Sequence, residues 1–328
     1  MKYRRKILLL LPLLLLTTLA GLYFGSTTLS FRAFFAALTG TGEETHRLIL
    51  WQLRLPRVLA GIIAGVGLST AGVLLQSVTA ISLACPNILG INSGAGLAVI
   101  LLLTIAPTAG AWTPVAAFAG AFSAALLILA AANRLSGSIV TFLLIGIAVT
   151  TLLNAAISFL SLLDEGVLAQ YNHFTVGSLS GIYANQLILP ALIVCAAFAA
   201  AMVISSQLGV LCLGDAAASA LGVRVRRIRL IALCCAAAGA AAAVSFAGLL
   251  GFVGLVVPHI ATRLVGDVPR RTLPAAALLG AILVVLADLL GRTLFTPSEL
   301  PVGILMSLIG APYFLFLLCW RNRHSGIL

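Results

Sequence analysis

Leu213-Gly-Asp-Ala-Ala-Ala-Ser-Ala-Leu-Gly-Val-Arg-Val-Arg-Arg-Ile-Arg229 is one short polar insert between two long apolar stretches. Asp215 is placed to cap a helix by accepting backbone N–H bonds from the turn that follows it. Ala216 to Leu221 form a strong helix-forming run, and Gly222 can take the left-handed conformation that ends it. Arg224, Arg226, Arg227 and Arg229 follow at once, too many charges to lie in hydrocarbon. The insert therefore reads as a rigid, basic-flanked helical knob on one side of a membrane. It is either an ordinary connection or a helix that transmits force to a soluble partner.

The rest of the chain supplies the membrane. Of its 328 residues 62% are hydrophobic and 8% are charged, against about 25% charged in a typical soluble domain. Mean hydropathy is +1.19. The apolar residues come in runs of roughly 20, the length that spans a bilayer. The fold class expected is an all-α polytopic membrane protein of about ten transmembrane helices, with 1–328 forming a single transmembrane domain. The net charge of +11 does not point to nucleic acid, because the arginines cluster at the ends of apolar runs and so read as a topology signal. Met1 to Lys6 followed by an apolar run imitates a secretory signal. The run continues through Leu19, Leu22 and Tyr23 past a weak cleavage site, so it reads as an uncleaved first span.

Spans are expected at 7–24, 58–80, 93–107, 112–132, 139–162, 186–205, 228–250, 252–266, 273–294 and 303–320. The eighth is short and carries Pro258, His259 and Arg263, so charge arithmetic decides it. With ten spans and the N-terminus inside, the inner side holds Lys2, Arg4, Arg5, Lys6, Arg134, the four arginines of the insert, Arg263, Arg270, Arg271, Arg321 and Arg323. The outer side keeps Arg32, Arg47, Arg54, Arg57 and Arg292, or five of the 19 Lys and Arg. Dropping the eighth span would put the basic C-terminal tail outside, against the positive-inside tendency. The eighth is therefore expected as a partial or kinked helix buried against protein. The small residues of Gly61–Gly72 and Ala236–Ala243 read as close helix packing.

Several chemistries are excluded. Both lysines lie within the first six residues, so no Gly-rich loop with a following lysine exists to hold a nucleotide. No metalloprotease His pair and no Gly-x-Ser-x-Gly elbow occurs, and His46, His173, His259 and His324 are scattered. The six cysteines lack a C-x-x-C spacing and lie in the membrane or on the reducing side. Only Asp288 stands deep in a span, with Arg292 at i+4 as a local partner. Two readings remain: a permease driven by a separate ATPase, or an ion-coupled carrier with few charges.

Nine segments carry a resemblance. They are Leu53-Arg-Leu-Pro-Arg-Val-Leu-Ala60, Gly72-Val-Leu-Leu-Gln76, Asn87-Ile-Leu-Gly-Ile-Asn-Ser-Gly-Ala95, Val176-Gly-Ser-Leu179, Leu213-Gly-Asp through Leu221-Gly222, Gly251-Phe-Val-Gly-Leu-Val-Val-Pro-His259, Ala287-Asp-Leu-Leu-Gly-Arg292, Glu299-Leu-Pro-Val-Gly303 and Gly310-Ala-Pro312. In this order the chain resembles the iron-complex permease family of ABC importers, the FecCD-type transmembrane subunits of ferric siderophore, haem and cobalamin uptake. The resemblance implies a type II importer permease fold, with a homodimer or heterodimer of permeases, two cytoplasmic ATPases and an extracytoplasmic binding protein. It implies a multi-pass protein of the bacterial cytoplasmic membrane with both termini inside, in contact with lipid and not with nucleic acid. No cofactor, metal or catalytic residue is implied in this chain; ATP and Mg belong to the partner ATPase.

Residue by residue, the resemblance makes 212–228 the coupling helices, with Leu213, Gly214, Asp215, Ala218, Leu221, Gly222 and Arg224 meeting the ATPase. Arg54, Arg57 and Arg292 match the positions that receive acidic residues of the binding protein. Leu83 and Ala84 belong to one cytoplasmic gate loop, and Ser136 and Ser138 to the other. The family's Asn-Pro-Leu-Ala-x-Pro stands here as Ile81-Ser-Leu-Ala-Cys-Pro86, so a looser gate, or one closed by other contacts, is expected. Phe174 replaces a frequent tryptophan. Spans five and ten line the pathway, with Thr150, Thr151, Asn154 and Ser158 as lining groups. A ferric siderophore is the first expectation for cargo, with haem, cobalamin or molybdate as alternatives.

Overall fold

A computed structural model describes residues 2–25, 27, 30–135, 139–295 and 298–324. Among them there are helices and no strands, as lipid demands when every backbone polar group must be satisfied within its own segment. In chain order the helices are α1 (Lys2–Tyr23), α2 (Phe31–Thr39), α3 (Glu44–Leu48), α4 (Leu55–Thr79), α5 (Ile91–Ile105), α6 (Thr113–Leu135), α7 (Ile139–Ser161), α8 (Glu165–Val176), α9 (Ala184–Leu211), α10 (Asp215–Ala220), α11 (Val225–Ala247), α12 (Val253–Val265), α13 (Pro269–Thr293) and α14 (Val302–His324). The ten apolar helices α1, α4–α7, α9 and α11–α14 fall on the ten expected spans. Seven are long enough to cross a membrane, whereas α5, α12 and the described apolar part of α14 are shorter.

The eighth span is the partial helix that its sequence suggested. α12 has 13 residues, about 20 Å at 1.5 Å per residue, against about 30 Å of hydrocarbon. Phe252, at φ 64°, turns the chain into it, and Val253, Gly254, Val257 and Ala261 are buried against protein. The backbone missing at its ends is therefore shielded from lipid.

α4 lies at the centre, packed most extensively on α13 and α11. Its small residues decide how close those helices come. A Cβ on Gly72 would lie 1.9 Å from the Gly254 carbonyl oxygen of α12, and one on Gly65 would lie 2.3 Å from that of Gly280 on α13. On the other flank Ala236, Ala237 and Ala240–Ala243 of α11 are fully buried. With lipid as apolar as leucine, backbone-to-backbone fit is what holds such helices together. α2, α3 and α8 sit at one end of the bundle, and α10 at the other.

Gly72→Ala should push α4 off α12 at a cost of about 1–3 kcal/mol, the usual range for overpacking. Thermal unfolding in detergent should show a clear fall for this variant. Gly110→Ala, where a new Cβ meets nothing within 4 Å, should leave it unchanged.

Candidate functional site

Five charged side chains meet at the α2 end of the bundle. Upstream of α4 the backbone slips into a π-turn over Ile49–Arg54, with the Leu55 amide reaching back to the Leu50 carbonyl. Pro56 follows in the first turn of α4 and has no N–H to continue the tighter ladder. This turn aims Arg54 inward. Its Nη1 donates to the carbonyls of Leu22 and Tyr23, and its Nη2 to the carbonyl of Thr27 and, at 3.2 Å, to the Thr27 hydroxyl.

Arg57, one turn on, donates from Nε to both oxygens of Asp288 at 2.9 and 3.0 Å, and from Nη1 to Glu299 Oε2 at 2.6 Å. Arg292 brings its Nε within 3.5 Å of Asp288 and donates from Nη2 to the Gly21 carbonyl. The expected i, i+4 pair of Asp288 and Arg292 is thus present, but it is the looser contact. The carboxylate is turned towards Arg57, 231 residues away in sequence.

Arg54, Arg57 and Arg292, the arginines expected to meet the binding protein, gather at one end of the bundle and are drawn inward: Arg54 and Arg292 are only 4% and 2% exposed, and Asp288 4%. The physical reason is that a guanidinium beside apolar helix ends must find carboxylates or carbonyls before it can leave water. Glu299, whose side chain is 29% exposed, was quoted in a sequence segment but given no role; it covers the outward N–H of Arg57. Its signal was the scarcity of acids, since only 8 occur in the chain.

A cavity of about 200 Å³ opens beside this cluster, lined by Gln52, Arg54, Arg57, Tyr183, Arg292 and Glu299 among others. Arg54 pairs with no carboxylate among the described residues. Three guanidiniums therefore meet two carboxylates, and the cluster as a whole carries one positive charge in excess beside the cavity.

At the opposite end, α10 is a six-residue helix between two left-handed glycines, Gly214 at φ 103° and Gly222 at φ 80°. Asp215 does not cap it. The residue stands inside the first turn, and its carboxylate takes both contacts from Arg229 Nη2, at 2.9 and 3.1 Å. With Gly214 in the cap position, the carboxylate is left facing the next helix. Ala218 is fully buried and seats α10 on its neighbours, while Leu213 and Leu221 are 70% and 66% exposed. Arg224 begins α11 and is exposed with Arg226 and Arg227. The result is a projecting apolar tip rimmed by positive charge.

On the α10 side of the bundle, in a pocket shared with Cys212, the Ile81–Pro86 segment forms a defined turn without the family's Asn-Pro. Ala80 takes φ 55°, the Ala84 amide bonds the Ile81 carbonyl at 3.0 Å, and Gln76 Nε2 donates to the Ala84 carbonyl at 3.4 Å. Ala84 is buried and Leu83 exposed. Ser136 and Ser138 lie outside the described residues. On α7, Thr151, Asn154 and Ser158 share one exposed face, whereas Thr150 is half-buried beside Gly90. No group of three His, Cys, Asp or Glu side chains among the described residues is placed to hold a metal.

Ten apolar helices with polar devices at both ends define a multi-pass membrane permease. Residues 13–320 match the model of the FecCD transport family, and the chain belongs to that family. It is 36% identical to the Fe(3+)-citrate import system permease protein YfmE of Bacillus subtilis, over 97% of this chain and 96% of that one. Identity to the hemin transport system permease protein HmuU of Yersinia pestis is also 36%, with the same coverage of 97% and 96%. In structure it superposes on a metal-chelate type ABC transporter in an inward-facing conformation, with a TM-score of 0.85, 26% identity and coverage of 96% and 99%. The fold is that of a type II ABC importer permease.

Asp288→Asn should cost about 3–5 kcal/mol, because it leaves two buried arginines short of their shared charge. Glu299→Gln should cost less than about 1 kcal/mol, as befits a partly exposed partner. Unfolding midpoints in detergent should separate the two variants in that order.

Proposed function

We propose that this chain is the membrane-spanning subunit of an ATP-driven importer that passes a ferric chelate, a ferric siderophore first, from an extracytoplasmic binding protein to the cytoplasm. The observation that carries the reading is α10: a short helix seated by Ala218, flanked by exposed Leu213 and Leu221 and followed by the exposed Arg224, Arg226 and Arg227. Such a tip fits a groove on a soluble ATPase and can be pushed as a unit, rocking the bundle from outward- to inward-open. The fourteen basic residues assigned to the α10 side support a cytoplasmic location for that end and for both termini. A second copy or a related permease completes the pathway, lined by the faces of α7 that carry Thr151, Asn154 and Ser158 and by α14; Thr150 flanks that face. The Leu83–Ala84 turn and the segment of Ser136 and Ser138 close its inner end. Iron-citrate and hemin permeases among the relatives support the cargo class, with haem, cobalamin and molybdate behind a siderophore.

The arginine cavity is the seat of the binding protein, and its geometry redistributes the roles. Arg57 and Arg292 are already engaged by Asp288, and Arg57 also by Glu299, so Arg54 and the outward N–H of Arg57 receive the incoming carboxylate. Glu299 is the group that this carboxylate displaces. The scarcity of charge within the spans argues against an ion-coupled carrier, since Asp288, the acid deep in a span, is engaged by Arg57 and Arg292.

Ala218→Pro removes the amide that bonds the Gly214 carbonyl at 2.9 Å, a local cost of about 3 kcal/mol in a helix interior. Reconstituted with its ATPase, the variant should insert normally but lose ATP-dependent uptake. Import at the normal rate would refute the coupling role of α10.

Arg54→Gln should weaken binding-protein affinity roughly tenfold at low salt, where charge contacts are least screened. Glu299→Gln should strengthen it severalfold. Titrating labelled binding protein onto nanodisc-held transporter measures both.

A further inference from the structure

α2 is a nine-residue helix capped by the Ser30 hydroxyl and closed by Gly40 in the left-handed region. At about 100° per residue its side chains fall into three sectors. Phe34 and Ala37 face inward, 6% and 0% exposed, against Leu50, Leu22 and Tyr23. Arg32 and Thr39 share an exposed polar sector. Between the two lie Phe31, Phe35 and Leu38, within about 60° of one another and 68%, 47% and 44% exposed.

A globular surface helix has two sectors; the third, apolar and uncovered, needs an occupant. Its surroundings identify one. Phe24, Leu48, Trp51 and Leu53 are exposed around it. Tyr23, Phe31, Phe34 and Phe35 form edge-to-face contacts with ring centroids 4.7–6.3 Å apart. α1, which precedes α2, exposes Leu15, Leu16 and Leu19 towards its end and is a span with only 11% of its apolar window buried. Aromatic side chains gathered where a span ends, with an arginine and threonine on the next sector, match the membrane–water boundary in polarity and in depth. The small core under α2 is separate from the main core of the bundle, so α2 has little else to hold it in place.

We propose that α2 is an in-plane membrane anchor, its Phe31–Phe35–Leu38 sector seated in the acyl–headgroup boundary of phospholipid at the end of the bundle that holds the arginine cavity. The anchor fixes the end of α1 and the turn that follows it, whose Leu22, Tyr23 and Thr27 carbonyls hold Arg54. The occupant is lipid and not a protein partner, because the sector is aromatic and apolar and follows in sequence on the end of α1, a span almost wholly exposed along its apolar length.

The test uses the full chain with Trp112→Phe and Trp320→Phe, keeping Trp51 as a constant background, in phosphatidylcholine liposomes. Phe35→Trp and Thr39→Trp place a reporter on the apolar and the polar sector, and Phe31→Trp serves as a second apolar reporter should Phe35→Trp fold poorly. In lipid brominated at carbons 6 and 7, the apolar reporter should be quenched at least twofold more than Thr39→Trp, and more than in lipid brominated deeper in the chain. Equal quenching of the two sectors would overturn the proposal. So would an apolar reporter that lipid does not quench but that added binding protein shields, which would make the sector a protein-docking surface.

Discussion

The carboxylate of Asp288, buried near the end of α13 and shared by Arg57 and Arg292, is the contact on which the rest of this end of the molecule depends. An isolated carboxylate or guanidinium in so apolar a setting would cost several kcal/mol. The cost is offset only if the partners converge from different elements, and here they do: Arg57 from α4, Arg292 from α13 itself, Glu299 from the connection to α14. Arg292 also reaches the Gly21 carbonyl of α1. One buried charge therefore fixes the relative positions of three spans. The glycines of α4 act in the same sense further along, letting Gly65 meet Gly280 and Gly72 meet Gly254 backbone to backbone. Close approach brings the charged groups into range, and the charged groups in turn hold the approach.

The two ends differ in construction, and the difference suits opposite tasks. The arginine cavity is walled by side chains already bonded to carbonyls and carboxylates, so in the proposed docking role it offers a largely preorganised seat in which Glu299 is the one group that moves aside. α10 is the reverse. Its backbone is closed on itself between two glycines, its contact with the bundle is centred on one buried alanine, and its leucines point away. A short rigid element on a narrow foot moves with whatever grips its tip. The Asp215–Arg229 pair ties it to the first turns of α11. In the proposed coupling role, motion of the tip would be passed to a full-length span rather than absorbed in the loop, even though so exposed a pair adds little stability by itself.

The spans were legible in the sequence because the bilayer tolerates so few solutions. Apolar length, proline and the distribution of 19 basic residues located all ten, and the same charge count identified the short α12 as a real but partial helix. What was legible in the sites was local: the left-handed Gly222, the helix over Ala216 to Leu221, the i, i+4 pair at Asp288. What was not legible was partner choice. Nothing local says that Asp288 turns to Arg57 rather than Arg292, since that depends on how α4 and α13 are rotated against each other. Asp215 is similar: read in one dimension it is a cap, but Gly214 takes the cap position and Arg229 the carboxylate. Topology assigned Arg54, Arg57 and Arg292 to one side of the membrane, and the structure gathers them round one cavity, yet topology says nothing about burial.

A last feature follows from how the hydroxyls of α7 are used. Thr151 donates to the Ile147 carbonyl of its own helix at 2.9 Å, and its neighbours on the exposed face include Leu144 and Ile147, 61% and 63% exposed. A threonine bonded back to its helix presents mainly its methyl group. A pathway lined by this face would offer Asn154 and Ser158 as its polar groups on α7 and would otherwise be smooth and weakly interacting. That is the surface a conduit needs. A chelate held tightly at mid-membrane would not leave, whereas one delivered by a separate binding protein has already been selected and needs only a passage that does not retain it. The scarcity of charge in this chain, which first argued against an ion-coupled carrier, is on this reading the property that lets cargo through.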